Sequence, residues 1–517
     1  MTADLILGID AGTSVTKVVA FDLDGRQVAS AAKPNQYVNL PGGGCEQDVR
    51  RTWEDCAQVL RELGASLPGL ADRVLAVGVT AQGDGTWLID AEGEPVTPAW
   101  LWLDSRAAAI VEQADQDGTT ARTYPITGCG MNACQQSAHL MWMKRHAPQM
   151  LERAATGMHC KDWLYFKLTG VRATDVSEGV FTFGDFRRRA YSPDVLDAYG
   201  LADLAHLLPP IVNGIETTHP LSAEAARQVG LKAGTPVSLG FVDVVCTALG
   251  AGLYERGRRL GVSIIGSTGM HIRLASSADE VVLGEAPSGY TMCLPVAGTY
   301  AQAQSNMAAT LNIDWAVDLA CQAAGALGHE IGRREALPLL DAQVLEARPG
   351  AAIWHPYIHT AGERGPFVDA NARAMMSGLD QNVRFLDLLR SVYEGLSFAA
   401  RDCYAAAGHV PEEIRLAGGA ARSRTLRTIL ASVLGAPVRA GTRGEEGSVG
   451  TAMMAACAVG VFPSLDEAVA AWVTPSLGEL THPDPELVKA YADLFPIYQS
   501  IHRRMRDVWR DLAKVRS

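Results

Sequence analysis

Asp10 closes the apolar run LILGID, and Gly12, Thr13, Ser14 and Lys17 follow it directly. Period-two alternation over Leu5–Asp22 predicts two strands joined by the tight turn Ala11-Gly12-Thr13-Ser14. Gly12 lets the backbone approach a ligand, Thr13 and Ser14 offer hydroxyl and amide donors, and Lys17 can reach the turn with a positive charge. That set suits an anionic phosphate. A carboxylate beside it makes sense when a cation such as Mg²⁺ lies between the two. A plain β-meander with a polar turn is the alternative. Asp243 stands alone between apolar stretches in Ser238–Gly252, where a charge is costly without a partner or a task. It is either the N-cap of the following helix or a general base for a substrate hydroxyl. Gln82, Gly83 and Asp84 end the strand VLAVGVTA, and their amide and carboxylate suit hydrogen bonding to several hydroxyls. Trp100 and Trp102 alternate with Ala99, Leu101 and Leu103, so both are expected on one face. One can stack on the carbon face of a polyol, and Trp100 is expected in the core.

The elements that position these residues recur. RLGVSIIGSTGMHIRLA (Arg259–Ala275) is again strand, turn, strand, with Gly266, Ser267 and Thr268 in the turn. Two such hairpins about half a chain apart predict a duplicated architecture. In Glu413–Val438 a short strand runs into Gly418, Gly419 and Ala420 and then an amphipathic helix, a step at which α/β proteins bind ligands. Helical periodicity marks residues 51–63, 139–146 and 385–407. Asp24-Gly25 predicts a type I′ hairpin turn into a third strand. There is no GxxxxGK[ST], no GxGxxG after a strand and no protein-kinase signature. Mixed short strands and helices in both halves predict an α/β protein, divided into residues 1–255 and 256–517.

A chain of 517 residues is too long for one core. With 48% hydrophobic and 20% charged residues it is a globular composition. A net charge of −12 argues against nucleic-acid or anionic-membrane partners. No signal peptide is expected, and no apolar run reaches the ~18 to 20 residues of a membrane span. Ten scattered cysteines without a CxxC pair predict free thiols in a reducing cytoplasm. His355 and His359 have ligand-like spacing, but Pro356 between them disfavours a helical zinc site.

Taken in order, GIDAGTSVTK, TAQGDG, WLWLDSR, GFVDVVCTALGAG, IGSTG, HPYIHTAGERGP and LAGGAARS resemble the FGGY family of carbohydrate kinases over essentially the whole chain. The resemblance implies two ribonuclease H-like domains, of the actin/hexokinase ATPase type, around an interdomain cleft. It implies ATP and Mg²⁺ as cofactors: Asp10 positions the metal, and Thr13, Ser14 and Lys17 meet the phosphates. Gly266, Ser267 and Thr268 form a second phosphate turn, and Gly418, Gly419 and Ala420 lie by the adenosine. Asp243 is then the catalytic base, and Gln82, Gly83, Asp84 and Trp102 contact substrate. A homodimer is suggested by the resemblance, though no motif shows one.

The departures narrow the substrate. Where glycerol kinases carry Arg-Glu and xylulokinases Met-His, this chain has Gly83-Asp84. Val244 replaces the glutamine that follows the base in glycerol kinases, and Cys134 falls near a substrate-contacting tyrosine. TAQGDGTWLID, HCKDWLYFKLTG and GFVDVVCTALGAGLYE resemble the erythritol-kinase branch, while the L-xylulose/3-keto-gulonate branch has lysine at Asp84. A pocket carboxylate accepts hydrogen bonds from hydroxyls and repels an acid. The expectation is a neutral polyol such as erythritol. A pentulose or pentitol kinase such as L-xylulose kinase is the alternative within the family, and an actin/Hsp70-like ATPase the alternative outside it. Glu363 and Arg364 are expected to brace a loop, Asp104 and Arg106 to form an ion pair, Cys134 to be a packed thiol, and Glu445 and Glu446 to favour a helix N-terminus.

Overall fold

The computed structural model describes residues 3–255 and 257–516. Strand β1 (Leu5–Ala11) alternates Leu5, Leu7 and Ile9 with Ile6, all buried, because both faces of its sheet are covered. It pairs antiparallel with β2 (Val15–Asp22), which pairs antiparallel with β3 (Gln27–Pro34). On its other side β1 runs parallel to β4 (Val74–Ala81), and β4 is parallel to β6 (Pro236–Leu239). Strand β5 (Thr218–Pro220) closes that edge, giving the order β5-β6-β4-β1-β2-β3.

The second sheet is built from β7 (Leu260–Ile265), β8 (Gly269–Ala275), β9 (Tyr290–Cys293), β10 (Tyr300–Asn306), β11 (Glu413–Ala417), β12 (Val438–Gly441) and β13 (Leu477–Thr481). Their order is β9-β10-β8-β7-β11-β12-β13. Without the edge strands the two sheets share one plan. A three-strand antiparallel meander (β1-β2-β3, β7-β8-β10) is extended by two parallel strands on the side of its first strand. This is the duplicated ribonuclease H-like topology, and the fold is two such α/β domains around a cleft.

Helix α1 (Val49–Ser66) covers one face of the first sheet, and the Asp48 side chain caps it by accepting from Arg51 N at 3.0 Å. Between β4 and β6 lie α2 (Cys160–Thr169) and α3 (Val176–Phe183), and α4 (Asp243–Gly250) follows β6. In the second half the main helices are α5 (Phe385–Ala406), α6 (Arg424–Leu434), α7 (Glu446–Ala458) and α8 (Pro485–Arg516). The segment 51–63 falls in α1, 385–407 matches α5 and its C-cap Ala407, and 139–146 falls in a helix Gln136–His146.

Helix α7 comes from the second half yet packs on β1 and β4 of the first sheet and against α4. Gly8 and Gly78 are register partners on β1 and β4, and a Cβ on either would collide with the carbonyl of Ser448 or Thr451. Gly450 likewise lets α7 touch the carbonyl of Cys246 in α4. The division at residue 255 therefore separates the two sheets but not all of the packing around them.

Local expectations need correcting in two places. At Asp24-Gly25 only the glycine is left-handed (φ 74°), and the pairing slips between Ala20 and Phe21. The turn is thus a three-residue loop with a bulge, and not type I′. At Ala99–Trp100 the strand is two residues long and the chain then turns, so the two tryptophans do not share a face. No described helix is long and apolar enough to cross a membrane. All ten cysteines are free, most of them buried.

Candidate active site

The two Gly/Ser/Thr turns face one cavity of about 290 Å³, which Gly83, Asp84, Trp102 and Asp243 also line. In the first turn, Thr13 Oγ1 donates to Gln82 Oε1 (3.0 Å) and accepts from Trp102 Nε1 (2.7 Å). Gln82 is buried behind the turn, its Nε2 donating to Gln47 Oε1 (2.9 Å), and it does not line the cavity. It is linked to the cavity lining through Thr13 and Trp102. The second turn is tied to the start of a helix by Thr310, whose N and Oγ1 both donate to Gly266 O (3.0 and 2.8 Å). A Cβ at Gly266 would meet nothing within 4 Å, so the backbone there is open to a ligand. Trp100 is buried against His139 and Trp142, with the Arg106 guanidinium 3.5 Å from its ring centre. Arg106 also pairs with Asp104 (2.7 Å), as expected.

Asp243 is the first residue of α4, one place beyond the N-cap Val242, and its Oδ1 accepts from Val244 N (2.7 Å). It is therefore not the cap. Burial pushes its carboxyl well above the usual range, and the Asp10 carboxylate adds to the effect. Asp10 ends β1. Desolvation pushes it up to about 6 against the pull of Lys17, with Glu445 pushing the same way as burial. Its carboxylate accepts no hydrogen bond among the described residues, and Gly447 at the start of α7 lies so close that a side chain would strike Oδ2. Lys17, expected to reach toward phosphates, pairs with Glu445 across the cleft (2.6 Å). Glu445 sits at the N-cap of α7 with φ 73°.

Asp84 holds a left-handed backbone (φ 53°), and its N–H donates to Glu178 Oε1 (2.9 Å). Glu178 belongs to a buried cluster in which Lys161 Nζ meets Asp162 (2.8 Å), Asp175 (2.7 Å) and Glu178 (2.5 Å). His159, Asp162 and Glu178 have metal-ligand proximity, but the Lys161 ammonium already supplies the positive charge there. On the side chain, Asp84 Oδ2 accepts from Tyr290 OH (3.3 Å) and Cys134 Sγ (3.7 Å), and Oδ1 is buried without a partner. Desolvation raises this carboxyl, with Arg364 the chief opposing charge.

Tyr290 and Arg364 come from the second half and line the same cavity. Arg364 was expected to brace a loop. That task falls to Glu363, which is buried and accepts from the N–H groups of Met307 (2.9 Å) and Arg364 (2.8 Å). Nothing local in the sequence marks Tyr290. Arg364 carries a weak signal, a cation in a Gly- and Pro-flanked loop.

Gly418 and Gly419 line a larger cavity of about 1020 Å³, while Ala420 is buried beside it. Arg422, Arg424, Arg427 and Arg443 line this cavity together with Glu446, Glu479 and Asp484, a mixed charged lining that no sequence motif marks. Gly418 needs its left-handed φ of 86°, and a Cβ would press on the carbonyl of Ile265. His355 is buried, hydrogen-bonded to Tyr498 O (3.0 Å) and stacked on that ring.

The model of the FGGY carbohydrate kinase N-terminal domain matches residues 5–250, and that of the C-terminal domain residues 261–459. An erythritol kinase from Brucella abortus is 49% identical over 510 residues, covering 99% of this chain and 98% of the relative. A gluconate kinase from Lactobacillus acidophilus superposes with a TM-score of 0.89 at 22% identity, covering 98% of this chain and 99% of that one. A ligand-bound xylulose kinase from the same organism gives 0.87 at 22%, with the same coverage. These two structures show the shared fold. Two matched domain models and a full-length relative place the chain in the FGGY family of carbohydrate kinases.

Proposed function

We propose that the enzyme transfers the terminal phosphoryl group of ATP to a hydroxyl of a small neutral polyol, with erythritol the first candidate. The observation that carries this is Asp84, a buried carboxylate lining the same cavity as Asp243, with one oxygen filled by two donors and the other left free. The full-length relative named for erythritol supports the choice.

Phosphoryl transfer asks the protein for an aligned hydroxyl, neutralised phosphate charge and exclusion of water. Asp243 is the proton acceptor for the attacking hydroxyl. Asp84 and Trp102 hold the polyol beside it, with Gly83 giving backbone access and Gln82 fixing Trp102 through Thr13. Backbone N–H groups of Thr13, Ser14, Gly266, Ser267 and Thr268 and the hydroxyls of Ser14, Ser267 and Thr268 face the phosphates, with Lys17 available once it leaves Glu445. Gly418, Gly419 and Ala420 border the adenosine side. Asp10, a carboxylate without a donor beside a second raised carboxylate, fits a hard divalent cation. Bound Mg²⁺ would offset charge on the phosphates there. The first half, residues 1–255, supplies most of the polyol contacts and the second, 256–517, most of the nucleotide contacts. Ten unpaired thiols suit a reducing cytoplasm.

ATP consumption against erythritol, threitol, xylitol, glycerol and L-xylulose tests the reading. Erythritol should lead, and it should exceed sugar acids by at least about tenfold, since a carboxylate facing Asp84 is repelled. Preference for an acid, or ATP hydrolysis indifferent to any polyol, would overturn it.

A further inference from the structure

Arg364 has an unusual set of partners. Its guanidinium lines the substrate cavity, forms no ion pair among the described residues, and has as its side-chain partner Cys134 Sγ at 3.7 Å. Cys134 in turn donates to Asp84 Oδ2 at 3.7 Å. Tyr290 OH, which accepts from Asn132 Nδ2 (3.1 Å), fills the same oxygen. Two donors therefore saturate Oδ2 and leave Oδ1 unpartnered, while among the described residues Arg364 spends one of its five side-chain N–H donors, on Cys134. Asp84 and Arg364 both reach Cys134 Sγ and both line the cavity, one from each half of the chain.

A hydroxyl is the simplest group that satisfies both, because it donates one hydrogen bond and accepts others. A carbonyl can only accept. It would satisfy Arg364 and leave its lone pairs against Asp84 Oδ1, with no donor for a buried carboxylate oxygen. We propose that Asp84 and Arg364 together read one internal hydroxyl of the substrate as donor and acceptor at once, and so select an alditol over the ketose of the same length. This deepens the polyol-kinase reading and rests on it. Cys134 is the positioning residue between the two charges.

The test is the ratio of kcat/KM for erythritol to that for erythrulose, its neutral 2-ketose, in wild type, Asp84→Asn, Arg364→Gln and Arg364→Lys. Wild type should favour erythritol by at least about 100-fold, because a site built around a hydroxyl leaves its own polar groups unpaired when that hydroxyl is missing. Asp84→Asn adds an N–H that can meet a carbonyl, and should narrow the ratio at least tenfold. Arg364→Gln and Arg364→Lys should raise KM for erythritol more than they lower kcat. A ratio within each preparation is insensitive to the fraction that folds, so a purely structural role would leave it unchanged. Wild type accepting both compounds within tenfold, or a ratio unmoved by Asp84→Asn, overturns the inference. If four-carbon substrates fail altogether, the substrate proposal falls separately, and the same ratio is taken for the alditol and 2-ketose of the chain length that turns over.

Discussion

Asp243, the proposed proton acceptor, starts a helix whose N-terminus faces the cavity. Asp243→Asn should cut kcat by about 10²- to 10⁴-fold, the range of a general base, while ADP binding measured by calorimetry stays near wild type. Glu363 gives a pH prediction. Burial pushes its carboxyl up to about 7, so the folded state holds a proton that the unfolded chain releases near the ordinary value. The associated stability is present at low pH and is lost as pH rises through about 7. Comparing thermal melts at pH 5.5 and pH 8, wild type should lose ground to Glu363→Gln at the higher pH by about 2 kcal/mol. The turn residues and Asp243 were legible because small polar residues and a lone carboxylate interrupt apolar runs. Tyr290 and Arg364 were not, since each lies more than 200 residues from Asp84 in sequence and only the packing of the two halves brings them together.

At the scale of elements, β1 and β4 carry Gly8 and Gly78 because α7 lies directly on them. Gly8→Ala should force that helix outward and cost about 1 to 3 kcal/mol in urea unfolding, as overpacking does. In α2, Lys161 balances three buried carboxylates. Lys161→Met leaves those charges uncompensated, which should destabilise by about 3 to 5 kcal/mol. It should also raise KM for the polyol, because Glu178 holds the Asp84 backbone. The hairpins and long helices were readable from periodicity alone. Trp100 lies in the core as expected, but its shared face with Trp102 was misjudged because alternation was extended into the turn that Asp104 N closes on Leu101 O (2.9 Å). The Asp24-Gly25 turn was misjudged because a dipeptide does not reveal a bulge in the strand beside it.

Across the whole molecule, ties join the halves on both flanks of the cleft. The Trp472 indole N–H donates to Leu23 O (3.0 Å), and Arg443 bonds Gly25 O and Trp472 O. The Lys17–Glu445 pair spans the phosphate side, and its side chains are about one quarter exposed (29% and 27%). Glu445→Gln should free Lys17 and lower KM for ATP by up to about fivefold, the ceiling that ~1 kcal/mol for such a pair allows, with kcat little changed. Steady-state kinetics in ATP at saturating polyol would show it. The seating of α7 also bears on protein engineering. A hybrid of two relatives spliced between residues 255 and 256 would set one parent's helix on the other parent's glycine seam, where carbonyls touch and no side chain can cushion a mismatch. Crossovers that keep 446–458 with the N-terminal parent should yield working hybrids far more often than a cut at the midpoint.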